Sequence, residues 1–421
     1  MTAQGVKREA ARGALLLRSG RLFLSRPGFV SRAIAPGFRT MLTRIDAGLG
    51  QGSLLAHLPD GSTRMLGGRA PGFAAEIELK DWRGLLRLAG GGVIGFYQAY
   101  EAGEWETPDR VALFALFSAN ARSLGQIARS TGPLRWIGRI AHWLNRNHRQ
   151  GSARNIAAHY DIGNDFYGAW LDPTMTYSSA LGLATGGDEA ALKAAQERKL
   201  AALADRLGTP ESVLEIGCGW GSLARLLARR GATVTAISLS DEQLAFARGQ
   251  GGEGIDYRRL DYRDIDGTYD AIASVEMVEA LGREYWPGFL DCIARSLKPG
   301  GRAGLQFISM ADDLFETYAR TPDFIQACIF PGGMLIKRSE FRRLAEARGL
   351  VWRDETRFGC DYAETLKLWH ERFDDAVRAG RLPPGFDAPF VRLWTFYLDY
   401  CEAGFRAGNI DVRQVTLVRE R

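Results

Sequence analysis

The feature that most constrains the fold of this chain is an alternation of strand and helix patterns that begins after Pro210. Short apolar runs typical of buried strands alternate there with segments of helical periodicity, and the loops between them are short. The predicted strands are Ser212–Ile216, Thr233–Ser238 and Asp270–Val275, and the predicted helices between and beside them are Ser222–Arg230 and Asp241–Arg248. This alternation predicts a parallel, doubly wound sheet.

The regions on either side of this segment have other patterns. Residues 41–109 are strand-like and rich in turns, with a short helix predicted over Leu85–Leu88, so a small α+β domain is expected there. A strand over Ala303–Ile308 is followed by a helical, aromatic-rich insert from about 312 to 348. Two late strands, near Leu350–Glu355 and Ile410–Arg419, can close the sheet.

A glycine-rich loop joins the first predicted strand to its helix, with the spacing Glu-x-Gly-x-Gly-x-Gly over Glu215–Gly221. A dinucleotide-binding loop requires Gly-x-Gly-x-x-Gly, and here Ser222 stands at the position of the third glycine. The loop instead resembles the first motif of class I S-adenosylmethionine methyltransferases. The resemblance implies that Glu215 helps to hold the ammonium group of S-adenosylmethionine, while Gly217, Gly219 and Gly221 make room for the cofactor.

Other cofactor contacts are expected at the ends of the following strands. The second strand ends without the acidic residue that usually binds the ribose hydroxyls, so Ser238 and Gln243 are the candidates for that role. Asp261 and Tyr262 are candidates for contact with the adenine. At the end of the predicted strand Asp270–Val275 the chain has Ser-Val-Glu-Met, where nucleobase-amine methyltransferases have Asn/Asp-Pro-Pro-aromatic, so we expect no nucleic-acid substrate.

Charge is distributed unevenly along the 421 residues. Residues 1–40 contain eight Lys or Arg and one acid, and residues 110–160 contain eight Arg and no acid, which favours a negatively charged surface as partner. Within the second zone, residues 134–146 have the pattern of a basic amphipathic helix with two tryptophans. Packing of that helix on the protein's own core is an equal alternative.

No run approaches the ~20 apolar residues of a membrane-spanning helix. The five scattered cysteines suggest neither a metal site nor disulfides, so a reducing compartment fits best.

Several motifs in order resemble the cyclopropane fatty acid synthase family. They extend from about residue 41 to the C-terminus and include His159–Tyr167, Met175–Ala180, Glu215–Gly221, Ser274–Gly282 and Phe330–Gly333. The resemblance implies S-adenosylmethionine-dependent transfer of a methyl or methylene group to the double bond of an unsaturated acyl chain in a membrane phospholipid. The product would be a cyclopropane or a methyl- or methylene-branched chain. The alternatives are a small-molecule methyltransferase and a non-catalytic lipid-binding partner subunit.

The resemblance also implies the candidate catalytic residues. Family members are thought to use a bound bicarbonate as base, and by motif position Glu279 and Tyr362 would hold it, with Tyr177 and Ser178 contacting the cofactor. Three positions depart from the family pattern, and a histidine is missing at two of them: Ala280 replaces a histidine, and Gln306 stands where a bicarbonate-binding histidine is often found. Ser179 likewise replaces a cysteine that many members carry. Cys401 matches a cysteine of the C-terminal motif and is included as a candidate, although no partner that would lower its pKa is visible, so it is not interpreted as a nucleophile.

The implied fold is α/β: a Rossmann-like class I methyltransferase domain with a seven-stranded, mostly parallel sheet and an antiparallel last strand, a helical lid, and a small N-terminal α+β domain. We expect a basic arm over 1–40, the small domain over 41–109, a basic helical connector and cofactor-covering segment over 110–175, and the methyltransferase domain with its insert over 176–421. The expected location is cytoplasmic, peripheral to the inner face of the membrane. A phospholipid bilayer with unsaturated acyl chains is the expected partner, and a homodimer and a reductase or oxidase acting on the product stay open.

Overall fold

The computed structural model describes residues 35–125, 162–321 and 323–420. Residues 1–34 of the predicted arm over 1–40, the predicted helix over 134–146 and the start of the motif at His159 lie outside these residues. Within them the chain forms two compact units. The first combines the part before Asn145 with Glu316–Pro331 and Gly385–Asn409, and the second contains the rest. No helix of the described residues is long and apolar enough to span a membrane.

The first unit contains a four-stranded sheet in the order β2-β1-β3-β4. Its strands are β1 (Ser53–His57), β2 (Thr63–Gly67), β3 (Ala74–Leu79) and β4 (Trp105–Glu106), and its helices include α1 (Ala35–Gly48), α2 (Arg83–Glu101), α3 (Arg110–Ala119) and α4 (Ala121–Leu124). The α2 helix continues well beyond the predicted Leu85–Leu88, with a kink at Gly92, where φ is +57°. A fully buried Trp105 stacks on Phe96 at 4.2 Å between ring centroids, which gives this unit an aromatic core.

The second unit contains the large sheet, in the order β11-β12-β9-β8-β5-β6-β7, with a two-residue strand β10 added beside β9. The strands are β5 (Ser212–Ile216), β6 (Thr233–Ser238), β7 (Ile255–Arg259), β8 (Tyr269–Val275), β9 (Leu297–Met310), β10 (Ile336–Lys337), β11 (Leu350–Arg357) and β12 (Ile410–Arg419). The β12 strand is antiparallel to both β9 and β11, whereas β5, β6, β7, β8 and β9 run parallel to one another. The predicted α/β class and the antiparallel last strand are therefore confirmed.

Helices cover the large sheet and connect its strands. They are α5 (Asn164–Gly168), α6 (Glu189–Leu207), α7 (Ser222–Arg229), α8 (Asp241–Gly249), α9 (Trp286–Ser296), α11 (Arg338–Glu346) and α12 (Gly359–Arg378). The residues of α10 (Asp312–Arg320) are divided between the two units, and α13 (Ala388–Arg406) belongs to the first unit. Leu223 and Leu227 of α7 pack with Val213 and Val234 of the strands in one buried cluster. Because the parallel strands end at one edge of the sheet, the loops that follow β5, β6 and β8 meet there.

Candidate active site

A cavity of about 170 Å³ lies at the carboxyl ends of β5, β6 and β8, in the second unit. Eight of the ten predicted cofactor residues line it: Tyr177, Ser178, Glu215, Gly217, Gly219, Ser238, Gln243 and Tyr262. Two do not. Gly221 instead begins α7 with φ of +80°, and the carboxylate of Asp261 accepts hydrogen bonds from Arg263 at 2.7 and 2.8 Å. The expected adenine contact of Asp261 stays a prediction; in the structure its side chain pairs with Arg263 within its own turn.

Glu215 is the most informative side chain of this cavity. It is 3% exposed, and one of its carboxylate oxygens has no hydrogen-bond partner. Burial raises the pKa of Glu215 to about 8. A buried carboxylate oxygen without a donor is costly, so the site fits a ligand that brings a positive charge or an N–H group. The amino group of S-adenosylmethionine has both, and the residues present therefore fit this cofactor.

The glycine loop leaves the backbone close to the cavity. Gly217 has φ of +83°, and a Cβ added there would lie 2.6 Å from Cγ of Met277, so no larger residue fits without movement. Gly219 has φ of +50°, and a Cβ there would meet no atom within 4 Å. At the end of β6, the hydroxyl of Ser238 donates to Oε1 of Gln243 at 3.2 Å, which places two polar side chains together where the acidic residue is missing.

A carboxylate that the sequence did not single out lies beside the cavity. Glu276 follows β8 directly and has φ of +46°, which is uncommon for a residue with a side chain. Its Oε2 accepts a hydrogen bond from the Tyr362 hydroxyl at 2.7 Å, and its Oε1 accepts from Nε2 of Gln306 at 2.7 Å and from the backbone N–H of Ser179 at 3.0 Å. Glu276 also lines the cavity. We refer to Glu276, Gln306, Tyr362 and Ser179 as the carboxylate cluster.

The orientation of Gln306 is set by its neighbours. Its Oε1 accepts a hydrogen bond from Nε2 of Gln414 at 3.0 Å, and that amide also donates to the carbonyl of Lys199 at 3.2 Å. With Oε1 occupied by a donor, the Gln306 amide must present its N–H groups to Glu276. The predicted donor role of Gln306 is thus directed to a side chain of the protein itself.

Lys199 is a second residue that sequence reasoning missed. It lines the cavity, is fully buried, and its Nζ donates to the hydroxyl of Ser178 at 2.6 Å. Burial lowers the pKa of Lys199 to about 8, against the opposing effect of Glu276, Asp172 and Glu215. A lysine on α6 looks like one more polar position of an amphipathic helix, so nothing in the local pattern marks it as part of the site.

Glu279 takes a different position from the one expected. It does not line the cavity, and its Oε1 accepts a hydrogen bond from the backbone N–H of Ile308, while its other carboxylate oxygen has no partner. Burial, and then the nearby Glu276, raise the pKa of Glu279 to about 8. Glu279 and Tyr362 were expected to hold a bicarbonate together, which stays a prediction; in the structure the Tyr362 hydroxyl donates to the carboxylate of Glu276.

Cys401 lies on α13 of the first unit. Burial raises the pKa of its thiol, and Asp323 of the same unit adds to the effect. A thiol in such surroundings stays protonated and is a poor nucleophile. The structure gives it no feature of a reactive cysteine.

Comparison with known proteins identifies relatives of this chain. A family model described as mycolic acid cyclopropane synthetase matches residues 147–415. A tuberculostearic acid methyltransferase, UfaA1, of Mycobacterium tuberculosis is 39% identical over 351 residues, covering 79% of this chain and 81% of the relative. A cyclopropane-fatty-acyl-phospholipid synthase of Escherichia coli K12 is 32% identical over 360 residues, covering 84% of this chain and 90% of the relative.

Solved structures agree with these relatives. The crystal structure of the mycolic acid cyclopropane synthase CmaA1 in complex with SAH and CTAB matches with a TM-score of 0.58 and 28% identity. The match covers 63% of this chain and 98% of that chain.

Proposed function

The chain belongs to the mycolic acid cyclopropane synthetase family, and on this premise we propose that it transfers a methyl or methylene group from S-adenosylmethionine to the double bond of an unsaturated fatty acyl chain. It is an S-adenosylmethionine-dependent methyltransferase that modifies lipid. The observation that carries the proposal is that one cavity is lined both by Glu215, which has one carboxylate oxygen without a hydrogen-bond partner, and by Glu276 of the carboxylate cluster. Glu215 can bind the ammonium group of the cofactor, and Glu276 of the cluster can accept a proton.

When bound, S-adenosylmethionine supplies an electrophilic methyl group to which an alkene can donate its π electrons. The chain's own residues then have three tasks: to hold the cofactor, to exclude water and to accept a proton. Gly217 and Gly219 allow close approach of the backbone, and Tyr177 and Ser178 line the same cavity. Trp369 is fully buried and packs on Tyr177 at 5.3 Å and near Tyr362 at 6.0 Å between ring centroids. Such aromatic rings exclude water and can stabilise a positive charge nearby.

The lipid substrate is expected to be a phospholipid in a bilayer, giving a cyclopropane or a methyl- or methylene-branched acyl chain. The test is incubation of the protein with methyl-labelled S-adenosylmethionine and vesicles of unsaturated phospholipid, followed by mass spectrometry of the fatty acids. We expect label in a fatty acid that is heavier by a methylene or a methyl branch. Methylation of soluble substrates with vesicles ignored would favour a small-molecule methyltransferase. Binding of cofactor and vesicles without turnover would favour a non-catalytic lipid-binding subunit.

Docking at the bilayer is the proposed task of the basic zones, whose predicted helix over 134–146 lies outside the described residues. Its support is the charge pattern: arginines with tryptophans are typical of binding to anionic membranes. Neutralising Arg135, Arg139 and Arg146 together is expected to weaken binding to anionic vesicles at least tenfold at low salt, and less at high salt because salt screens the attraction.

The matched control for this test removes three positive charges from exposed arginines outside the predicted helix. The side chains of Arg258, Arg259 and Arg378 are 52%, 60% and 73% exposed, and neutralising these three is expected to leave vesicle binding within twofold. Equal binding by both triple variants would assign the helix to the protein's own core.

A homodimer and a reductase or oxidase partner remain predictions; a reductase would be needed only if a methylene product has to become a saturated methyl branch.

A further inference from the structure

Within the carboxylate cluster, Glu276 accepts the hydrogen bonds of the groups that were expected to hold an external base. Resemblance to the family predicts a bicarbonate held by Tyr362, Gln306, Glu279 and backbone N–H groups. In the structure the Tyr362 hydroxyl, Nε2 of Gln306 and the N–H of Ser179 all donate to Glu276, at 2.7, 2.7 and 3.0 Å. Three donors that point to one carboxylate make a site for a single anion, and Glu276 already supplies that anion.

From this disagreement, and resting on the function proposed above, we propose that Glu276 is the base of the reaction and replaces bicarbonate. A second anion fits poorly for two reasons. The hydroxyl of Tyr362 and the N–H of Ser179 have one proton each, and both are donated to Glu276. A bicarbonate beside Glu276 would also bring two negative charges together in a partly buried place, which is unfavourable.

The backbone at Glu276 indicates that the position is specialised. Its φ of +46° lies in the region that favours glycine, and the turn is held by a hydrogen bond from the Glu276 N–H to the carbonyl of Gln306 at 2.8 Å. Strained residues with side chains concentrate where the side chain has a task that a relaxed residue cannot perform. Here the strained backbone directs a carboxylate into the cofactor cavity.

The two neighbouring carboxylates differ in their ability to act as a base. Glu276 accepts three hydrogen bonds, and the buried Lys199 also favours the charged form of Glu276. Burial opposes these effects and raises the pKa of Glu276. Glu279 receives one N–H, from Ile308, and has its pKa raised to about 8 by burial and by Glu276. The surroundings of Glu276 therefore favour its charged form more than those of Glu279 do, and the raised pKa of Glu279 keeps that carboxyl mainly protonated near pH 7. A base must be deprotonated before it accepts a proton, so the assignment falls on Glu276.

The proposed proton transfer is balanced without any co-reactant. After methyl transfer, the acyl chain carries a cation at the other carbon of the former double bond. A C–H bond of the newly transferred methyl group breaks, and its proton goes to a carboxylate oxygen of Glu276. The electron pair of that C–H bond closes the cyclopropane ring onto the cationic carbon. If a hydride first shifts from the methyl-bearing carbon to the cationic carbon, the same electron pair instead forms a methylene double bond. The proton then passes to water, so each turnover releases one proton and leaves Glu276 ionised again.

The test compares turnover in buffer freed of bicarbonate and carbon dioxide with turnover after bicarbonate is added back. Wild-type protein is expected to be equally active in both, within twofold. Glu276→Gly is expected to lose at least a hundredfold of its activity without bicarbonate and to regain tenfold or more with added bicarbonate or formate, because the three donors that had faced the carboxylate then line the vacated position. Glu276→Gln is expected to lose activity without rescue, because the amide still fills the position.

Controls separate the proposal from general damage. Each variant should bind S-adenosylhomocysteine with an affinity within threefold of wild type, which reports an intact cofactor cavity. Glu279→Gln is expected to lower turnover in both buffers and to show no rescue, because its removal opens no place among the three donors.

A binding measurement tests the proposal without turnover. With ¹³C-labelled bicarbonate, NMR line broadening is expected for Glu276→Gly and not for wild type. Bicarbonate binding by wild type, dependence of wild-type turnover on bicarbonate, or full activity of Glu276→Gly without it would each overturn the proposal. If wild-type protein methylated no acyl chain at all, the proposed function would fail, and the NMR result would still decide whether the carboxylate excludes bicarbonate.

Discussion

The turns that follow β5 and β8 lie side by side, and they reach a positive φ with different types of residue. Both strands are parallel neighbours, and both turns contain a residue with positive φ, Gly217 at +83° and Glu276 at +46°. In the first turn the residue is a glycine, which adopts this conformation without strain. In the second it is a glutamate, which does not. A turn that binds a ligand through its backbone can use glycine, whereas a turn that must place a carboxylate accepts strain.

The largest effect is expected where the two turns touch. Gly217→Ala would put a Cβ 2.6 Å from Cγ of Met277, the residue next to Glu276, so the Met277 side chain or one of the two turns must shift. We expect affinity for S-adenosylhomocysteine, measured by calorimetry, to fall at least tenfold. The control is Gly231→Ala, with φ of +94° and no atom within 4 Å of the added Cβ, which has similar strain away from the cavity. Equal affinities of the two variants would show that the turns are independent.

A smaller effect is expected from the carboxylate that ends β5. Glu215→Gln removes the charge that faces the cofactor's ammonium group, and a hydrogen bond to a charged group contributes about 1.5–3 kcal/mol. Affinity for S-adenosylhomocysteine should therefore fall about tenfold or more. Affinity for 5′-methylthioadenosine, which lacks the amino acid portion, should change less than twofold. A similar loss for both compounds would mean that Glu215 supports the loop and does not contact the ammonium group.

The smallest effect concerns the strain at Glu276. Glu276→Ala and Glu276→Gly remove the same carboxylate and the same hydrogen bonds, but only glycine relaxes a φ of +46°. We expect the glycine variant to be more stable to urea unfolding than the alanine variant by about 1 kcal/mol, since left-handed backbone costs about that much in a residue with a Cβ. A more stable alanine variant would show that the turn is not strained, and the contrast with Gly217 would disappear.

Much of the fold could be predicted because it depends on patterns along the chain. The strands β5, β6 and β8 and the late strand β12 follow apolar runs that the sequence shows directly, and their structural bounds agree closely with the predicted ones. The length of α2 could not be predicted in the same way. Three consecutive glycines argue against a helix, yet the helix continues past them with a kink at Gly92, and tertiary packing of Ile94 and Tyr97 outweighs the low helix propensity.

The candidate site was predictable where the backbone determines it. Glycine spacing identified the loop after β5, and the missing acid after β6 directed attention to Ser238 and Gln243, which both line the cavity. Glu276 was missed because its role depends on the direction of its side chain, which follows from a positive φ that no local pattern shows. The available signal was indirect: Ala280 and Gln306 have both lost an expected histidine, and a new acid stands three residues before Glu279.

The central position of β12 has a consequence for how the protein is made. This strand lies between β9 and β11 and is antiparallel to both, but it follows them in the chain by more than fifty residues. While the ribosome is still producing the intervening segment, the facing edges of β9 and β11 have unpaired N–H and C=O groups. Open edges of this kind are prone to pair with other chains. Nascent copies on one messenger should therefore depend on chaperone protection until residues 410–419 emerge.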